Sequence, residues 1–207
     1  MKPSENPFRY SQIVKYRYQI GSADFESLRM RLASCKFRAS IRGPHGTGKS
    51  TLLEDLATSY SREGKLVKLY RVNKQDSSSK RKQIIATILS SHPSEMNFLD
   101  GGECFGYFAW NWFIARCIGK NLSCIATTHY PCVLAEVFVT HISLEQTLQM
   151  IQHLSQSYWS CELNQVALRS FNNSKGNCRD ILRDCYLFMS HRQQSLCHGA
   201  NAVDAWT

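Results

Sequence analysis

The stretch Gly43-Pro-His-Gly-Thr-Gly-Lys-Ser-Thr51 satisfies the pattern G-x-x-x-x-G-K-[ST] in full. Glycines at 43, 46 and 48 let the backbone around Thr47 curl until successive N–H groups point at one place. With the positive end of a following helix, such a curl surrounds a phosphate. Lys49 then reaches the outer phosphates of a nucleotide as a point charge, Ser50 offers its hydroxyl to Mg²⁺, and Thr51 can contact the innermost phosphate. A metal-bound nucleotide needs a second, acidic element, and Met96-Asn-Phe-Leu-Asp100 ends an apolar run on a carboxylate. Asp100 is expected to hold Mg²⁺ through its water shell. Glu103, after Gly101-Gly102, is the general base for activating water, with an exposed loop carboxylate as the plain alternative. Thr127, Thr128 and His129 end another apolar run. His129 ranks first of the three, because an imidazole can hydrogen-bond either a terminal phosphate or the attacking water.

These residues need strand ends to hold them. Phe37-Arg-Ala-Ser-Ile41 alternates as a strand, and Thr51-Leu-Leu-Glu-Asp-Leu-Ala-Thr reads as a helix, so the glycine-rich loop has the strand-loop-helix setting it requires. Residues 66–72, 96–100 and 121–128 predict further strands, and 137–141 a fifth. Ser143-Leu-Glu-Gln146 is a capping box opening a run of helices that continues to about Arg192. The fold expected is α/β: a three-layer P-loop NTPase with a mainly parallel central sheet and a small C-terminal helical lid. Its divisions are a basic N-terminal segment packing on the core (1–36), the core (37–141), the lid (142–192) and a polar tail (193–207).

Asn73-Lys-Gln-Asp76 matches N-K-x-D, with which small GTPases read guanine. In those proteins it follows the metal-binding element, whereas here it precedes Asp100, and D-G-G-E lacks the glycine of D-x-x-G. The match is expected to be a coincidence in a polar loop that enters the helix carrying Ile84, Ile85, Ile88 and Leu89.

A chain of 207 residues with 43% hydrophobic and 20% charged content has the composition of a packed domain. It has no apolar run of signal-peptide or membrane-spanning length, and the reading is a cytoplasmic protein. The nine cysteines form no C-x-x-C pair, which points to reduced, mostly buried thiols, and Cys197-His198 is too small a set to close a metal site. Net charge is +9, and up to Arg42 basic residues outnumber acidic ones nine to three. That excess fits either a nucleic-acid footprint or a face that attracts a polyanionic nucleotide.

Together the motifs resemble AAA+ and ABC-like ATPases over roughly residues 37–190. More narrowly, the chain resembles short bacterial ATP-binding proteins that share G-P-H-G-[ST]-G-K-S-T, D-G-x-E and T-T-H at a strand end. The resemblance implies Mg-ATP binding, with hydrolysis driving a change of conformation or partner affinity. Gly176-Asn-Cys-Arg-Asp is similar to the G-N-x-R-[DE] of the AAA+ lid, which makes Arg179 the arginine that reaches the γ-phosphate; a solvated helix arginine is the alternative. No LSGGQ stands in the chain, which argues against an ABC transporter subunit. Arg116 could serve as a finger across an oligomer interface that the sequence does not show. A small-molecule kinase and a non-catalytic, ATP-dependent regulator associated with DNA are the rival readings. Residues 105–114 pack six aromatics into ten positions. They predict a buried helix first and a protein-partner or membrane-surface patch second, while their lack of charge argues against stacking on nucleic acid.

Overall fold

Short alternating or wholly apolar runs become strands here, and the longer amphipathic runs between them become helices. The computed structural model describes the backbone of residues 4–200 and the side chains of residues 4–191. In chain order the elements are α1 (Tyr10–Ile13), α2 (Ser22–Ser34), β1 (Arg38–Arg42), α3 (Lys49–Arg62), β2 (Val67–Arg71), α4 (Ser78–Leu89), β3 (Met96–Asp100), α5 (Tyr107–Gly119), β4 (Cys124–Thr128), β5 (Ala135–Val139), α6 (Leu144–Ser155), α7 (Cys161–Ser174) and α8 (Cys178–Ala200). Two compact units result. One comprises Tyr18–Pro44 with Gly48–Thr140, the other Met1–Arg17 with His45–Thr47 and His141–Thr207.

The first unit contains the sheet, five strands in the order β2-β3-β4-β1-β5 with every pairing parallel. Parallel neighbours cannot be joined by hairpins, so α3, α4 and α5 serve as crossovers and cover the faces. Side-chain alternation divides the core in two. Phe98 and Ile125 pack with Leu28 and Leu32 of α2 and Leu52, Leu53 and Leu56 of α3. Their neighbours Leu99, Cys124 and Ala126 pack with Ile88 of α4 and Trp110, Phe113, Ile114 and Cys117 of α5. Two helices therefore lie on each face, which gives three layers. Because β4 stands between β1 and β3, the loops that leave these three strands open side by side at the carboxyl edge of the sheet. The strand order turns back at β1, the kind of place where open α/β sheets bind ligands.

The second unit is helical. Ser143 caps α6 through the expected box: its hydroxyl accepts from the Gln146 amide and its own N–H donates to the Gln146 side chain. Met150 and Ile151 of α6, Leu163 and Ala167 of α7, and Ile181, Leu182 and Cys185 of α8 form its core with Phe8 from the chain's beginning. Asn6 is fully buried beside Phe8. Its side-chain amide donates to the Tyr186 carbonyl at 3.0 Å and to Ser190 Oγ at 3.1 Å. The last helix runs on to Ala200, through a mainly polar sequence that contains no proline.

All eight cysteines among the residues with described side chains are free, four of them buried and one, Cys161, exposed. Burial pushes the Cys178 thiol up to about 11 and the Cys185 thiol up to about 12, so both are inert packing groups. Cys197 and His198 lie outside the described side chains. Among the described residues no helix is long and apolar enough to cross a membrane.

Candidate active site

Gly48 is the N-cap of α3 and takes φ +86°, and Gly46 takes φ +73°, both in the left-handed region that disfavours side chains. A Cβ on Gly48 would also stand 2.5 Å from Cδ2 of Tyr18, so the loop admits no side chain there. The first turn of α3 has neither an acidic residue nor a side-chain cap hydrogen bond. The helix dipole there therefore meets no carboxylate from its own first turn.

Lys49 is buried, at 7% exposure. Its ammonium has three protons, and three acceptors stand around it: the Gly43 carbonyl at 2.8 Å, the Pro44 carbonyl at 2.6 Å and His129 Nδ1 at 3.3 Å. On the other side of the imidazole, Nε2 lies 3.1 Å from Glu103 Oε1. Since an ammonium can only donate, the arrangement favours the tautomer in which Nδ1 accepts from Lys49 and Nε2–H donates to Glu103. Lysine, histidine and glutamate thus form one line across the ends of β1, β4 and β3. Nδ1 also lies 3.1 Å from the Gly43 carbonyl, so protonating the ring would exchange the lysine contact for a carbonyl contact.

Glu103 sits on the single 3₁₀ turn Gly102–Phe105 that leads into α5. Burial raises its carboxyl above the ordinary range, and the nearby Lys49 opposes the shift without cancelling it. Its second oxygen, Oε2, is buried without a hydrogen-bond partner, and so is Thr128 Oγ1. Buried polar atoms are rarely left unpaired, and a water could donate to the Glu103 oxygen while the Thr128 hydroxyl could donate to a phosphate or water oxygen.

Asp100 is fixed by a residue that spacing alone had grouped with the phosphate sensors. Thr127 Oγ1 donates to Asp100 Oδ1 at 2.6 Å and accepts from the Gly101 amide at 2.9 Å, so Thr127 orients the carboxylate. Only strand adjacency reveals this, because Phe98↔Ile125 and Leu99↔Ala126 set β3 and β4 in register with Asp100 opposite Thr127. No group of three or more His, Cys, Asp or Glu among the described residues could hold a metal by itself. A donor set of one carboxylate, one hydroxyl and nucleotide phosphates is the kind Mg²⁺ uses.

Ser50 is exposed and Thr51 half-buried in the first turn of α3, while Thr47 is buried. Arg179 belongs to the helical unit, where it is exposed on the first turn of α8 and its amide donates to Asn177 Oδ1 at 3.2 Å. Asn73-Lys-Gln-Asp76 is a loop between β2 and α4, and its carboxylate is engaged locally. Asp76 Oδ2 accepts from the Asn73 amide at 2.8 Å, and Oδ1 pairs with Lys80 at 2.7 Å. These contacts hold the Asp76 carboxyl below its ordinary range. Residues 105–114 depart from the expected buried helix. Phe105, Trp110, Phe113 and Ile114 are core, but Tyr107, Phe108 and Trp112 face outward, because α5 covers the sheet with one side only.

No family model matches the chain. No curated protein matches it either. Among solved structures, that of C. elegans PCH-2 is similar over 86% of this chain and 71% of that one, with 13% identity and a TM-score of 0.46. A likeness that shallow says nothing of activity.

Proposed function

We propose that the chain is a P-loop ATPase of the AAA+/ABC-like kind that binds Mg-ATP on Gly43–Thr51 and hydrolyses it to change conformation or partner affinity. The observation that carries the reading is the Lys49–His129–Glu103 line, which joins the phosphate-binding lysine to a buried carboxylate through an imidazole. Loop amides and Lys49 would bind the β- and γ-phosphates, and Ser50 with Asp100 would hold Mg²⁺. When bound, the metal neutralises charge that develops on the transferred phosphoryl group. To meet a phosphate, Lys49 must turn away from the Gly43 and Pro44 carbonyls. Glu103 takes the proton of the attacking water, a task suited by a pKa raised toward the working pH. Arg179 would close over the γ-phosphate from the helical unit. ATP is favoured over GTP because Asp76, the residue that would read guanine, is already committed to Lys80 and the Asn73 amide.

Two variants test this. Lys49→Ala should lose ATP binding in a titration with Mg²⁺, with GTP much weaker than ATP for the parent protein. Glu103→Gln should keep ATP binding and lose phosphate release by roughly 10²–10⁴-fold, the usual share of a general base. Unchanged binding in Lys49→Ala, or equal turnover in Glu103→Gln, would sink the assignment.

A further inference from the structure

We propose that the face of α4 and α5 at the carboxyl edge of the sheet binds single-stranded nucleic acid, stacking bases on Tyr107, Phe108 and Trp112 and holding phosphates with Lys74 and Lys82. Residues 105–114 contain no cation, which from sequence alone spoke against stacking on nucleic acid. The fold supplies the missing charge from another segment. Both helices are crossovers between parallel strands, so they run in the same direction and start at the same edge of the sheet. They are also neighbours. Ile84, Ile85 and Leu89 of α4 share a core cluster with Trp110 and Phe113 of α5, and Lys120 Nζ donates to the Leu89 carbonyl at 3.0 Å. At their starting ends, the charges of Lys74 and Arg81 are felt by Glu103 and Cys104, in the turn that leads into α5.

Exposed Lys74 and Lys82 thus belong to one of two neighbouring segments and three exposed rings to the other. Neither helix contains an acidic residue, and Asp76, in the loop before α4, pairs with Lys80. Tyr107 is 77% exposed, Phe108 86% and Trp112 54%, with Phe108 and Trp112 one helical turn apart. Three large rings left in water mark a surface that something covers. The charge selects a polyanion, and the flat rings select one whose bases are unstacked and free to pair face to face with them. A duplex hides those faces and offers phosphates alone. A bilayer-binding helix would be expected to add several aliphatic anchors among the rings, whereas α5 exposes one large aliphatic side chain, Ile118, beyond Ala115 and Arg116.

The test is fluorescence anisotropy of a labelled oligothymidylate of about 20 nucleotides with the full chain, at roughly 50 and 200 mM salt. The oligomer should bind at low salt and weaken as salt rises, with the matching duplex weaker. Phe108→Ala/Trp112→Ala should cost at least about tenfold. Lys74→Glu/Lys82→Glu should also weaken binding and flatten the salt dependence. All four positions are exposed, and a melting curve of each variant confirms that it folds. The proposal is overturned by no binding at low salt, by parent-like affinity in the aromatic variant, by equal affinity for duplex, or by capture on phosphatidylserine vesicles in place of the oligomer. The outcome does not depend on ATP, so this surface and the nucleotide reading stand or fall separately.

Discussion

Glu103 combines two conditions that usually exclude each other, a carboxyl raised by burial and a place in a line of polar contacts. Its pKa is higher in the folded protein than in the unfolded chain. Folding therefore favours the neutral acid: the contribution to stability is fully present below the ordinary carboxyl value, about 4.3, and is lost as pH rises through the folded value. At neutral pH the ionised group thus subtracts from stability. Glu103→Gln keeps an acceptor for His129 Nε2 and removes the buried charge. It should melt a few degrees above the parent at pH 7, and the gap should close as pH falls through the raised folded value, reaching its minimum by roughly 4.3. Thermal melts of the two proteins across that range check it; a gap that widens on acidification would show that the carboxylate is stabilised in place. A variant more stable and less active would also be what a functional site under strain of charge predicts. At this scale the candidate residues could be picked from sequence because each stands in a local pattern. It did not reveal that Thr127 grips Asp100, since that contact joins residues on different strands.

Among the elements, β3 ends at Asp100 as its apolar run predicted, and α6 begins at the capping box, because both signals are written within a few consecutive residues. Strand order is not written that way. Placing β4 between β1 and β3 is what brings His129 between Lys49 and Glu103, and no spacing along the chain encodes it. The outward side of α5 was hidden for a related reason, since a helix apolar nearly all round gives no phase from which to choose its buried face. The turn after β3 offers a test of how tightly this edge is built. Gly101 has φ +89°, and a Cβ there would lie 2.2 Å from the Val72 carbonyl oxygen. Gly64, past the end of α3, has φ +78°, and a Cβ there would meet nothing within 4 Å. Gly64→Ala should cost about 1 kcal/mol, the backbone term alone. Gly101→Ala adds a clash with main chain and should cost roughly 2–4 kcal/mol, and it should slow turnover by displacing Asp100. Denaturant midpoints of the two variants separate the contributions, and equal losses would mean that the turn yields without strain.

For the molecule as a whole, the beginning of the chain does not form a unit of its own. Phe8 is 2% exposed in the core of the helical unit, and Asn6 beside it holds the α8 carbonyl of Tyr186 and the hydroxyl of Ser190. These contacts span about 180 residues of sequence. The sequence could not announce them, because Asn-Pro-Phe in a polar stretch carries no periodicity. Removing the ring leaves a cavity in the core of the helical unit, at a typical cost of about 3–5 kcal/mol. The loss should be local, since the cores on the two faces of the sheet contain neither Phe8 nor any residue of α6–α8. Hydrogen exchange in Phe8→Ala should therefore show the amides of α6, α7 and α8 losing protection, while those of β1, β3 and β4 keep theirs. Uniform loss across both units would mean that the protein unfolds as a single cooperative body. Protection lost in the helices alone would establish that the first residues belong to the element carrying Arg179, and that its stability can be tuned without touching Lys49, Asp100 or Glu103.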